Sequence, residues 1–304
     1  MNSVFVGAGA AIITPFDKDG QIDYERFSKL IEFQIANNTD ALIVCGTTGE
    51  GSTLSVKERL KLFSYAVRQV HGRVPVIGGT GSNSTFFTLD LANEAEKTGI
   101  DAHLMVTPYY NKTSQQGLVK HYTFLADRLS KPIIIYNVPS RTGMNIEPET
   151  YNKLSYHENI IGVKEADANI TKLAKSIALC KNRLDFYIGN DDQISVSVYL
   201  GCKGVISVLS NILPKFTSLM TKTALNGNIT TANQLQAESF EIIDALFSDV
   251  NPIPIKTAMK ILGYDVGYLR GPLCEMSNEK TAKLKEILNR YQSFIESENR
   301  NSLL

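Results

Sequence analysis

The sequence has no excess of either charge sign. Lys plus Arg and Asp plus Glu each number 31 in 304 residues, so no overall field would attract nucleic acid or an anionic membrane. No apolar run approaches the ~20 residues that a membrane-spanning helix needs. We therefore expect neither a nucleic-acid nor a membrane partner, and local groups must recognise any ligand.

Cysteine is scarce, and its spacing is irregular. The chain has four cysteines, no C-x-x-C pair and no recognisable secretory leader, which favours a reduced cytoplasmic location over a disulfide framework. We expect the cysteines to be packing residues. The four histidines are far apart, with three expected at the surface and none at ligand spacing, so no metal is expected.

No Pro/Ser-rich linker or charge block divides the chain, which favours a single domain. Short apolar runs ended by turn residues alternate with longer helical patterns, as in a parallel sheet that is covered on both faces. The predicted strands are 7–16, 41–46, 75–80, 102–110, 132–139, 160–166, 185–191 and 204–210.

Helical periodicity is clearest over 23–36 and 55–70, where Asp23 and Ser55 are predicted caps and Glu58 completes a capping box. Eight β-then-α units predict an α/β fold, a (β/α)8 TIM barrel over 1–225. Three helical stretches beyond residue 212 indicate a C-terminal helical appendage, 226–304. A doubly wound open sheet is the alternative, but no G-x-G-x-x-G follows the first strand.

The predicted sixth strand, "IIGVKEA", carries a lysine, Lys164, where an apolar residue is expected. Burial favours the uncharged form of an amine, and an uncharged amine attacks carbonyl carbon. A lysine whose ammonium reaches the rim, or pairs with Glu165, is the structural alternative. The polar residues at the other strand ends favour the catalytic interpretation, because chemistry in such barrels gathers at the carboxyl ends of the strands.

Those strand ends supply suitable partners for a nucleophilic lysine. Tyr136, Tyr110 and Thr48 carry hydroxyls that could relay protons. Arg141 could grip a carboxylate with two hydrogen bonds, and Thr47 could present its backbone and hydroxyl to a small anion. Taken singly, each also fits core packing, a surface ion pair or a tight glycine turn.

Together these motifs resemble the dihydrodipicolinate synthase family. The resemblance runs from about residue 5 to 290 in order and spacing, through "GTTGE" (46–50), "TPYYNK" (107–112), "YNVPSRTG" (136–143), "GVKEA" (162–166), "GNDD" (189–192), "GVISV" (204–208) and "NPIPIK" (251–256). It implies a class I, Schiff-base lyase that condenses pyruvate with L-aspartate 4-semialdehyde in the diaminopimelate route to lysine. No cofactor or metal is implied beyond the covalent imine between Lys164 and pyruvate.

The resemblance also implies a role for each matching residue. Lys164 would form the imine, Tyr136 would exchange protons beside it, and Thr48 and Tyr110 would complete a relay. Thr47 and Thr48 would hold the pyruvate carboxylate and Arg141 the carboxylate of the semialdehyde. Gly189 and the Ile206 carbonyl would line the pocket. Tyr110 would reach into a neighbouring subunit, which implies a homotetramer built as a dimer of dimers, or a homodimer.

The chain departs from lysine-inhibited members of that family at Val56, Arg59 and Phe87, where these use histidine and glutamate. Weak or absent lysine feedback is therefore expected. N-acetylneuraminate lyase and 2-keto-3-deoxy sugar acid aldolases remain alternatives, because they share the lysine and the tyrosine. Arg141 favours the synthase, since a guanidinium suits a short acidic aldehyde.

Overall fold

The computed structural model describes residues 3–298, which form a closed barrel of eight parallel strands in sequence order. The barrel closes where β1 pairs with β8. The strands are β1 Gly7–Ala11, β2 Ala41–Val44, β3 Val76–Gly79, β4 Ala102–Val106, β5 Ile133–Asn137, β6 Ile160–Glu165, β7 Asp185–Ile188 and β8 Gly204–Ser207.

Helices follow every strand and cover the outside of the barrel. They are α1 Tyr24–Ala36, α2 Val56–Val70, α3 Thr85–Glu96, α4 Gln115–Ala126, α5 Pro139–Thr142, α6 Pro148–Leu154, α7 Ile170–Cys180, α8 Ile194–Tyr199 and α9 Pro214–Leu225. Beyond the barrel lie α10 Ile229–Leu246, α11 Ile253–Ile261, α12 Asn278–Arg290 and α13 Gln292–Ser297.

Local sequence signals fix several helix starts. The Ser55 hydroxyl accepts a hydrogen bond from the Glu58 backbone N–H, and the Glu58 carboxylate accepts one from the Ser55 backbone, which is the predicted capping box. Asp23 caps α1 in the predicted position, with its side chain accepting from the Arg26 N–H.

The buried side chains divide into two clusters because successive residues of a strand point to opposite faces. A small cluster fills the barrel lumen and includes Ile43, Leu104, Tyr136, Tyr187 and Ile206. A larger one packs between the strands and the helices. Lys164 lies between Tyr136 and Tyr187 in register, which places its side chain with the lumen set.

The predicted fold class is confirmed, with its eight strands, but every strand ends earlier than predicted. The residues predicted as strand beyond the observed ends belong to the turns that carry the site. These turns no longer pair with neighbouring strands and lie at the barrel mouth. Up to residue 298, five helices rather than three follow residue 212, because α9 completes the barrel and the 278–297 stretch divides into α12 and α13. The predicted boundary at 225/226 coincides with the end of α9, and residues 299–304 of the extension lie outside the described part.

Two minor sequence predictions were wrong. Cys274 is exposed, although Cys45, Cys180 and Cys202 are buried as expected. His103 and His121 are buried, so fewer histidines lie at the surface than predicted. Within residues 3–298, no helix is both long and apolar enough to cross a bilayer.

Candidate active site

Lys164 is buried inside the barrel, near the carboxyl end of β6. Its side chain is 6% exposed, and its Nζ lies 4.5 Å from the centre of the Tyr136 ring. The two residues are direct register partners on β6 and β5, so the backbone of the sheet sets their contact. This position excludes the alternative that the ammonium of Lys164 reaches the rim or pairs with Glu165.

The side chain of Glu165 points to the opposite face of β6 from that of Lys164. Its carboxylate accepts hydrogen bonds from Tyr151 Oη at 2.7 Å, Asn137 Nδ2 at 2.8 Å and the Asp167 N–H at 2.8 Å. Burial raises the pKa of Glu165 to about 7, and these hydrogen bonds oppose that rise. The carboxylate therefore belongs to the packing between β6 and the helices rather than to the lysine.

Gly189 and Ile206 form part of the floor around the lysine. A Cβ at Gly189 would lie 3.1 Å from Lys164 Cε and 3.0 Å from Ala166 Cβ, so glycine leaves room for the lysine stem. Ile206 is fully buried in the lumen cluster.

Asp191, just after Gly189, is a buried carboxylate that sequence analysis did not single out. It accepts hydrogen bonds from the backbone N–H groups of Val208 and Leu209, both at 2.9 Å. Burial raises the pKa of Asp191, while its hydrogen bonds and the charge of Lys164 oppose that rise. The side chain thus fixes the segment after β8 and lies within electrostatic range of the lysine.

The turn 46–50 after β2 presents Thr47 and Thr48. Thr48 is buried, and its Oγ1 accepts a hydrogen bond from Asn251 Nδ2 at 2.9 Å. Asn251 also connects to Arg141, because its backbone carbonyl accepts from the Arg141 guanidinium at 3.2 Å. Asn251, which precedes α11, therefore contacts both Thr48 and Arg141, two of the predicted substrate-binding residues at the barrel mouth.

A buried ion pair between α11 and the 46–50 turn holds this turn in place. Lys256 Nζ on α11 lies 2.5 Å from Glu50 Oε1, and both side chains are almost fully buried. Lys256 also donates to the Tyr268 carbonyl at 2.8 Å, and the Arg270 N–H donates to Glu50 at 2.9 Å. Burial lowers the pKa of Lys256, and the Glu50 carboxylate opposes that change. The C-terminal segment therefore fixes the shape of the turn.

A cavity of about 320 Å³ opens at the barrel mouth beside the turn. Thr47, Tyr136 and Arg141 are among the residues that line it. Thr48, Lys164, Gly189 and Ile206 are not among its lining residues. Lys164 contacts Tyr136, which is one of the lining residues.

Tyr110 does not join this site within the chain. Its side chain is 92% exposed, and its backbone adopts φ of 69°. A non-glycine residue of this size in the left-handed region is strained, so the surrounding structure must hold it there. The Tyr110 side chain therefore points away from this chain into its surroundings.

The sequence analysis assigned no individual role to three residues that contact the site: Asn251, Lys256 and Asp191. The first two lie in the quoted "NPIPIK" motif, and the third lies in "GNDD". The motifs therefore marked these segments, but they did not indicate what each residue contacts. Among residues 3–298, no three His, Cys, Asp or Glu side chains cluster as metal ligands would.

The fold and the site define an enzyme of the Schiff-base aldolase class, with a buried lysine on the sixth strand of a parallel barrel. Comparison with known proteins narrows this class. The model of the dihydrodipicolinate synthetase family matches residues 4–291, and the chain belongs to that family.

Individual relatives agree over nearly the whole chain. The chain is 47% identical to 4-hydroxy-tetrahydrodipicolinate synthase 1 of Clostridium acetobutylicum, over 95% of this chain and 98% of the relative. The crystal structure of dihydrodipicolinate synthase from Thermotoga maritima matches with a TM-score of 0.93 and 39% identity, over 95% and 99% of the two chains. A structure described as a monomeric dihydrodipicolinate synthase variant matches with a TM-score of 0.93 and 39% identity, over 95% and 97%.

Proposed function

We propose that this chain is a 4-hydroxy-tetrahydrodipicolinate synthase, which condenses pyruvate with L-aspartate 4-semialdehyde through a Schiff base on Lys164. The observation that carries the proposal is the placement of the Lys164 amine inside the barrel, 4.5 Å from the Tyr136 ring. Family membership supports the same reaction. No dissociable cofactor is needed, because the lysine itself supplies the covalent chemistry.

The reaction follows from the chemistry of that amine. Lys164 in its amine form attacks the ketone carbon of pyruvate, water leaves, and an iminium results. The iminium acidifies the pyruvate methyl group, whose proton is lost to give an enamine. The enamine carbon adds to the aldehyde carbon, and the aldehyde oxygen takes a proton. The substrate amine then attacks the imine carbon, which closes the ring and releases Lys164.

The neighbouring groups divide the remaining tasks. Tyr136 donates and accepts protons at the intermediate, with Thr48 and the Tyr110 of another subunit completing the relay. Thr47 and Thr48 receive the pyruvate carboxylate, and Arg141 receives the carboxylate of the semialdehyde. Gly189 and the Ile206 carbonyl complete the pocket around the imine.

We also infer a homo-oligomer, a dimer or a tetramer built as a dimer of dimers. A tyrosine that is held at φ of 69° and left 92% exposed is costly in a monomer and useful in a neighbouring subunit's site. The three buried free cysteines suit a reducing compartment, so the cytoplasm is the proposed location.

Borohydride reduction in the presence of pyruvate, followed by peptide mapping, tests the imine. A label of one pyruvate unit on Lys164 is expected, and Lys164→Ala should take up none and lose at least a thousandfold in kcat. Wild-type turnover by that variant, or a label on another lysine, refutes the proposal.

The acceptor is tested separately, because the sialic-acid and sugar-acid aldolases share the imine. Turnover with L-aspartate 4-semialdehyde should exceed turnover with N-acetylmannosamine by orders of magnitude. Arg141→Gln should raise KM for the semialdehyde while leaving pyruvate labelling intact. A preference for the sugar would assign the chain to the rival chemistry.

Lysine feedback is proposed to be weak or absent. Val56 and Phe87 are exposed apolar residues, and Arg59 is cationic, so none of them attracts an ammonium group. Inhibition by sub-millimolar L-lysine in a steady-state assay would contradict this expectation.

A further inference from the structure

Within the described part of the chain, the guanidinium of Arg59 has no hydrogen-bond or ion-pair partner. It lies on α2, its Nε is buried without a hydrogen bond, and no ion pair involves it among residues 3–298. Every other arginine of the described chain forms at least one hydrogen bond or ion pair through its guanidinium, as Arg73 does with Glu32 and Arg270 with Glu58. A half-buried cation without an anion is costly, so this arrangement calls for a missing negative charge.

Its surroundings do not supply that charge. Burial lowers the pKa of Arg59, and the Cys45 thiol and the Tyr109 phenol oppose that change electrostatically. Burial also raises the pKa of the Cys45 thiol to about 12, so the thiol stays neutral at physiological pH. Tyr109 offers a phenol hydroxyl, which can hydrogen-bond to an anion.

The cavity at the barrel mouth contains a second guanidinium. Arg59 and Arg141 both line it, and none of its described lining residues is an aspartate or glutamate. Among residues 3–298, the Arg141 guanidinium donates only to the Asn251 carbonyl, so it too has no carboxylate partner. The apolar residues that line the same cavity include Leu104, Val106 and Val138, which suit a short methylene chain.

The proposed reaction uses only one of these two cations. In that scheme Thr47 and Thr48 hold the pyruvate carboxylate and Arg141 holds the carboxylate of the semialdehyde. Arg59 lines the same cavity but has no role in that reaction scheme.

We infer that this cavity binds a small dicarboxylate, with one carboxylate on Arg59 and the other on Arg141. Each guanidinium presents a fork of N–H donors that matches a carboxylate, and the apolar walls contact the carbon chain. A ligand held in this way occupies the Arg141 position that the semialdehyde needs. It therefore competes with the second substrate and not with imine formation on Lys164, a consequence that depends on the proposed function.

The test uses glutarate as the probe and butyrate as its monocarboxylate control, titrated into the full chain by calorimetry. The variant is Arg59→Met, which keeps an unbranched chain and removes the charge. The matched control is Arg68→Met, an arginine on the same helix that donates only to Ser64. Glutarate is expected to bind at least tenfold more weakly to Arg59→Met than to wild type or Arg68→Met, while butyrate changes less than twofold.

Equal glutarate affinity in wild type and Arg59→Met overturns the inference, as does wild-type binding of butyrate as tight as that of glutarate. Should Arg59→Met fail to fold, Arg59→Lys serves instead. This variant keeps the charge but loses the fork, so at least a threefold loss is expected, and an unchanged affinity also overturns the inference.

In the kinetic test, glutarate should raise KM for the semialdehyde without lowering kcat. The calorimetric titration contains no substrate. It therefore remains informative about the cavity even if borohydride trapping shows that the chain forms no imine with pyruvate.

Discussion

The side-chain amide of Asn251 donates a hydrogen bond to the Thr48 hydroxyl oxygen at 2.9 Å. Because that oxygen accepts from Asn251, the hydroxyl proton of Thr48 stays available for a group other than Asn251. The Asn251 backbone carbonyl separately holds Arg141. Asn251 is thus a positioning residue whose side chain and backbone perform different tasks.

Asn251→Asp separates these tasks. An aspartate cannot donate to Thr48, so the proton relay proposed above loses its orientation, and kcat is expected to fall about tenfold or more. KM for the semialdehyde should change little, since the backbone contact to Arg141 remains. Steady-state kinetics with both substrates measure the split, and Asn226→Ala at the exposed end of α9 is the control. A rise in KM with normal kcat would show that the side chain acts in binding instead.

Lys256→Met tests the buried pair under the turn. Removing the ammonium leaves the Glu50 carboxylate buried without its ion partner, which is expected to cost about 3–5 kcal/mol of the free energy of unfolding. Urea unfolding measures this loss. Lys260→Met, which breaks the more exposed pair with Glu275, should cost less than about 1 kcal/mol. Similar losses in the two variants would mean that the buried pair contributes no more than a surface pair.

Gly189→Ala tests the room around the lysine stem. The added methyl would meet Lys164 Cε at 3.1 Å and the Glu165 carbonyl at 3.2 Å, so the lysine must shift. We expect kcat to fall about tenfold and borohydride trapping of pyruvate to slow. Gly271→Ala places its Cβ in open space and should leave both unchanged. Normal trapping in Gly189→Ala would show that the stem has more freedom than these distances indicate.

The stability of the fold at acid pH should depend on His121. Burial lowers the pKa of its imidazole from 6.5 to about 4, and its Nε2 is buried without a hydrogen bond. The unfolded chain therefore takes up the proton first, so stability falls as pH drops from 6.5 toward 4, by about 3 kcal/mol.

His121→Gln keeps a polar side chain that can reach Thr85 and removes this titration. Urea unfolding at pH 6.5 and at pH 4 should show a smaller loss in the variant than in wild type. His71→Gln, an exposed substitution, is the control. An equal loss in wild type and His121→Gln would mean that other groups carry the acid sensitivity.

Much of the barrel could be predicted from local patterns. Each strand is a short apolar run between turns, and the odd residue within one such run, Lys164, pointed to the lumen site. The predicted strands were too long because residues such as Cys45 and Gly46 continue an apolar stretch while already belonging to a bend. No local pattern marks the point where a ladder stops and a loop over the mouth begins.

The contacts that complete the site could not be predicted. Asn251 meets Thr48 across 203 residues, and Lys256 meets Glu50 across 206. Arg59 could be noted as a departure from relatives, but that its guanidinium has no partner is a property of the folded cavity. Such pairings depend on the closing of the barrel and the return of the C-terminal helices, neither of which leaves a periodic trace.

The dependence of the 46–50 turn on residues 251–270 has a consequence for synthesis. During translation the ribosome makes Lys164 and Tyr136 well before Asn251 and Lys256, so a nascent chain carries its nucleophile before it can shape the neighbouring turn. We therefore expect a prematurely terminated product that lacks this region to be inert even if its barrel closes.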